Sequence, residues 1–134
     1  MVAHLDSQNT DHAQVHEFRE LEITVRFETI NEKRVQILKF DGRITNSNSY
    51  ELNRKIHRLF ESDILHIILD LSNLQYMNST GMAILFSIAF RTGGNEGRVV
   101  IGGVHSFLAN VFSLMELPES LTVFDLVESA KSAF

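Results

Sequence analysis

The chain of 134 residues has no cysteine and a single proline. The missing thiols exclude disulfides, thiolate nucleophiles and cysteine-based metal sites. Positive charge is also scarce. Twelve Lys and Arg stand against 17 Asp and Glu, and a net charge of −5 argues against nucleic acid as the main partner. No apolar run reaches the length of a membrane span, and no signal-peptide core stands near the N-terminus. The expectation is a cytoplasmic protein without membrane insertion. What is present is ordinary globular composition, 44% hydrophobic and 22% charged. At this length it is enough for one domain with a real core.

Residues 1–19 are polar and acidic, carry His4, His12 and His16, and show no apolar periodicity, so they read as a flexible N-terminal tail. His12 and His16 would share a helical face, but two imidazoles on a coil make a weak metal site, and none is expected. From Leu21, apolar Ile23, Val25 and Phe27 alternate with polar residues, which predicts a half-buried strand. Asn31, Glu32 and Lys33 form a turn into a second strand through Val35, Ile37 and Phe40, completing an antiparallel hairpin. Asp41 and Gly42 end it. Leu52, Ile56, Leu59 and Phe60 then fall at helical spacing, with Ser47 or Ser49 as the cap. A fourth strand at Val99–Ile101 and a helix carrying Phe107, Leu108, Val111 and Phe112 follow, and Pro118 stops that helix. Leu121–Phe124 reads as a last strand and 126–134 as a final helix. Strands alternating with helices imply an α/β layer with a mixed sheet of four or five strands and about four helices.

The most informative stretch is 65–85. Leu65, Ile67, Ile68 and Leu69 have the composition of a buried strand that closes on Asp70, Leu71 and Ser72. A polar loop leads to Asn78, Ser79, Thr80 and Gly81, and an almost unbroken apolar helix begins at Met82. Two hydroxyls therefore stand at the first turn of a helix, where backbone N–H groups point outward and the dipole favours negative charge. A phosphate there costs the fold little, whereas the same charge inside a protein interface is expensive. Asn78 or Ser79 serves as helix cap in either case. The helix is apolar on nearly every side. Met82, Leu85, Phe86 and Ala89 are expected to face the sheet, leaving Ile84, Ile88 and Phe90 for a partner or a second copy.

The order of these parts resembles the anti-sigma factor antagonist family, whose STAS domain also occurs on sulfate transporters. That signature is a strand ending in Asp-Leu-Ser, a spacer, and Asp-Ser-Ser-Gly opening an apolar helix. Here it stands as Asp70-Leu71-Ser72, then Asn78-Ser79-Thr80-Gly81, within a STAS-like domain over residues 20–134. The resemblance implies a non-catalytic module that binds an anti-sigma factor Ser/Thr kinase and releases a sigma factor. Phosphorylation, on Thr80 or alternatively Ser79, switches it off, and a Ser/Thr phosphatase restores it. Asp70, Ser72, Asn78 and Gly81 would support the switch. Met82, Ile84, Ile88 and Thr45 would form the contact face. Two of the family's carboxylates are absent, since Asn78 replaces one and Thr45, in Gly42-Arg43-Ile44-Thr45, the other. Their loss makes the site less negative and more tolerant of an anion.

Other chemistry is poorly supported. Gly93, Gly94 and Gly97 lie between a helix and a strand, the wrong order for a phosphate-cradling loop, and Gly102-Gly103 lacks the Lys and hydroxyl of a P-loop. The glycosylation sequon at Asn78 has no meaning without a secretory signal. His66 reads as a strand residue facing the second helix layer or an edge, and His57 and His105 have no nucleophile or carboxylate at motif spacing, so neither catalysis nor a cofactor is expected. Two alternatives remain open: a scaffold module that self-associates through its apolar helices, and a nucleotide- or anion-binding regulator of a membrane transporter.

Overall fold

A computed structural model describes residues 13–59, 66–93, 97–117 and 121–134. Six strands form one sheet whose spatial order equals their chain order: β1 (Gln14–Phe18), β2 (Leu21–Ile30), β3 (Lys33–Ile44), β4 (His66–Met77), β5 (Arg98–Gly102) and β6 (Leu121–Val123). The first three are antiparallel neighbours, and β3 through β6 run parallel. Among the described residues four α-helices accompany them: α1 (Ser49–Lys55), extended by a 3-10 turn over Ile56–Leu59, α2 (Ser79–Gly93), α3 (Ser106–Ser113) and α4 (Val127–Lys131).

Period-two alternation sorts the strand side chains between two cores. Ile23, Val25, Leu38, Phe40, Ile67, Leu69, Val99 and Ile101 face α1, α2 and α3, where they meet Leu52, Leu85 and Leu108. Val35, Ile37, Ile68 and Val100 face the other way, onto Ala130 of α4 and Phe134. Lys131 fastens α4 to β2 through Glu28 at 3.0 Å. The Lys131 hydrogen bond holds the Glu28 carboxyl below its ordinary value against the opposing effect of burial. Burial pulls the Lys131 ammonium down, and its hydrogen bonds to Glu28 and Glu128 outweigh that, so the net shift is upward.

The structure corrects the sequence reading at several elements, and β3 is one of them, since it runs past Asp41 and Gly42 to Ile44. Residues Gln14–Phe18, read as tail, form an edge strand, so the sheet has six strands rather than four or five. The expected hairpin turn is present, with positive φ at both Asn31 and Glu32, the twist that a two-residue hairpin requires. β4 does not end at Ser72 but runs to Met77. The α1 cap position is Asn48, between the two serines expected there. Pro118, His12 and the 60–65 segment lie outside the described residues.

His66, at the start of β4, packs its ring edge-on against Phe134 at 5.6 Å, and its Nδ1 has no hydrogen-bond partner among the described residues. Burial, then the Lys33 charge, lowers its pKa. A depressed histidine contributes stability that is present above its unfolded value, about 6.5, and lost as pH falls from there through the lowered folded value. Urea melts at pH 7.5 and 5.5 should therefore show lower stability at pH 5.5. His66→Phe should lose less over the same interval, and an equal loss in both proteins would remove this account.

Candidate functional site

At the end of β4, Asn78 opens α2. Its backbone N–H donates to Ile44 O at 3.0 Å, and its carbonyl accepts the first helical bond from Met82 at 3.1 Å. Its side-chain Oδ1 accepts the Gly81 N–H at 2.8 Å, which is an N-cap interaction worth about 1 kcal/mol. The Asn78 Nδ2 donates to Asn46 Oδ1 at 3.0 Å, joining the cap to the loop between β3 and α1. Ser79 and Thr80 are both exposed on the first turn. Gly81 is buried, and a Cβ there would lie 2.9 Å from Ile44 Cγ2 and 3.2 Å from Met77 Cβ. The missing side chain is what lets the first turn of α2 settle on the ends of β3 and β4.

Beside this turn is an open depression of about 450 Å³ lined by Glu20, Arg43, Thr45, Asn46, Ser47, Tyr76 and Asn78. Its floor is a hydrogen-bonded loop. Thr45 Oγ1 and Ser47 Oγ lie 2.7 Å apart, and the Ser47 N–H donates to Thr45 Oγ1 at 3.2 Å. Asn48 is buried and acts as a bracket, its Oδ1 accepting the Thr45 N–H and its Nδ2 donating to the carbonyls of Arg19 and Arg43. On the rim the Arg43 guanidinium sits 5.4 Å above the Tyr76 ring, and Tyr76 lies 6.3 Å from Phe107 of α3.

The residues expected at this site divide. Thr45, Asn78, Ser79, Thr80 and Gly81 lie at or beside the depression. Asp70 and Ser72 do not join them. Asp70 is buried mid-strand, where its Oδ1 accepts the N–H of Ser72 at 2.9 Å and its hydroxyl at 2.6 Å. Seven further strand residues separate it from Asn78, and Ser72 instead packs under Gly103, where a Cβ would come within 2.8 Å. Met82, Ile84 and Ile88 are not a contact face either. All three are buried in the core between α2 and the sheet. The exposed side of α2 carries Ser79, Thr80, Ala83 and Phe90. Glu20, Arg43, Asn46 and Tyr76 were not singled out from the sequence. Glu20 stands at the expected boundary between tail and domain and the others in segments that read as polar loop, and only the register of β1–β4 brings them together. Among the described residues no group of three or more His, Asp or Glu could hold a metal ion.

This architecture can be set beside known proteins. The pattern of the STAS domain matches residues 26–130. The chain belongs to the STAS domain family. Among solved STAS-like structures, it resembles an anti-sigma factor antagonist described as putative from Thermotoga maritima, at 17% identity and TM-score 0.66, with 81% of this chain and 92% of that one covered. An anti-sigma factor antagonist from Mycobacterium paratuberculosis is similar at 21% identity and TM-score 0.56, covering 83% and 92%. A sulfate transporter family protein from Wolinella succinogenes matches at 21% identity and TM-score 0.57, covering 74% and 83%. At such identities the likeness establishes the STAS fold. None of the described helices is long and apolar enough to cross a membrane.

Proposed function

We propose that this STAS domain is a regulatory protein-binding module of the anti-sigma factor antagonist kind, docking on a Ser/Thr kinase that doubles as an anti-sigma factor. Thr80 is its switch, with Ser79 as the alternative acceptor, and a Ser/Thr phosphatase resets it. The observation that carries this reading is the exposed Thr80 hydroxyl on the first turn of a helix whose residues Met82, Ile84, Leu85 and Ile88 are committed to the core. A phosphate there meets the unsatisfied N–H groups and positive end of α2, so the fold tolerates it. Pressed against a partner, the same two negative charges must be desolvated, which weakens docking. The Asn78 cap and Gly81 hold the turn in place, and Thr45 contributes to the adjoining surface.

The test is intact-mass measurement and site mapping on protein taken from its native cells, with Thr80→Ala and Ser79→Ala alongside. A mass gain of one phosphate that disappears in Thr80→Ala is expected. No phosphate under any growth condition, or loss only in Ser79→Ala, would remove Thr80 from this role.

A further inference from the structure

Glu20 occupies the turn between β1 and β2 with φ of 61°, a left-handed conformation that glycine or asparagine adopts with less strain. A strained residue that is not glycine invites a search for what its side chain does. The Glu20 Oε2 accepts the Ser47 hydroxyl at 3.0 Å and the Thr45 hydroxyl at 3.5 Å. Its carbonyl accepts the Arg43 N–H at 2.9 Å. Glycine at this turn could keep the carbonyl bond and relieve the strain, but it would have no carboxylate to reach the loop. Asparagine would fall a methylene short. Glu20 also brings the one carboxylate into a depression whose positions 45 and 78 are neutral.

From these observations we infer that Glu20 is a positioning residue of the switch site. It holds the β3–α1 loop so that Asn46 orients Asn78, and Asn78 in turn caps α2 under Thr80. The path is continuous: Glu20 to Ser47 and Thr45, along the loop to Asn46, from Asn46 to the Asn78 amide, and from Asn78 to the Gly81 N–H. The N-terminal hairpin is thereby a working part of the site. Its importance to docking rests on the function proposed above, but the mechanical link does not.

Amide exchange by NMR on the unmodified chain tests that link without any kinase. In Glu20→Gly the Ser47 and Gly81 amides should exchange about threefold to fivefold faster, the scale of one modest hydrogen bond, while the melting temperature stays equal or rises because strain is relieved. Glu20→Gln keeps an acceptor oxygen and should return both amides to the wild-type rate. Unchanged exchange in Glu20→Gly, a fall in melting temperature that accounts for the faster exchange, or no rescue by Gln would each overturn the inference. An absence of phosphate on Thr80 would instead overturn the functional reading alone.

Discussion

Thr80→Glu is expected to lower affinity for the protein partner by about 100-fold or more, the scale of an uncompensated charge buried in an interface. The domain itself should be unharmed. The side chain is exposed in the first turn of α2, and a carboxylate there interacts favourably with the helix dipole by about 0.3–1 kcal/mol. The melting temperature should accordingly hold steady or rise slightly. The opposite signs are what make the experiment decisive, since a damaged fold would lower both quantities. Titration calorimetry against the partner retained by the wild-type chain from its own cells, paired with a thermal melt, reads both. Equal affinity of Thr80→Glu and wild type would remove the switch.

Gly42→Ala should be the most damaging conservative substitution near the site. Gly42 has φ of 123°, a region closed to residues with a side chain, and an added Cβ would stand 2.2 Å from the Glu20 carbonyl oxygen and 3.1 Å from its carbonyl carbon. Those are backbone atoms of a turn already held by the Arg43 N–H, so they cannot swing aside as the end of a long side chain could. The expected cost is about 3 kcal/mol or more, a fall of roughly 10 °C or more in melting temperature. Ala at this position should also loosen the Glu20 contacts with Thr45 and Ser47. A drop of only a degree or two would mean that the β1–β2 turn yields easily, and the tight approach would then carry little weight.

The strands with strict alternation were legible because period two is a direct imprint of one buried face, as in Leu21, Ile23 and Val25. β1 escaped notice for the converse reason. At the sheet edge Val15 is half exposed and Glu17 is exposed as well, and a strand that buries little leaves little pattern. The far half of β4 escaped for a different cause. Register shifts in the pairing with β3, between Lys39 and Asp41 and again between Gly42 and Arg43, break the alternation. Leu71, Leu74 and Met77 are buried three residues apart with polar residues between them, and in sequence that reads as a loop. The Asn78–Gly81 turn was readable because capping chemistry is local. The burial of Ile84 and Ile88 was not, because a helix seated deeply between neighbours covers flanks that an isolated amphipathic helix would expose. Glu20 reaches Ser47 across 27 residues of chain, a contact that belongs to topology alone.

The pairing of β4 with β5 stops at Asp70 and Gly102, whereas its pairing with β3 continues to Ile44 and Met77. Beyond Asp70 the two longest strands thus continue without β5, paired to each other, with α2 rooted at their end. The start of α3 takes the place of the missing strand: His105 Nε2 lies 2.6 Å from Leu74 O, the Tyr76 ring lies beside Phe107, and Leu71, Leu74 and Met77 stay in the core. On that flank the site is braced by side-chain packing instead of a further row of backbone ladder bonds, so substitutions at the exposed rings of Tyr76 and Phe107 can retune it while the ladder between β3 and β4 stays whole.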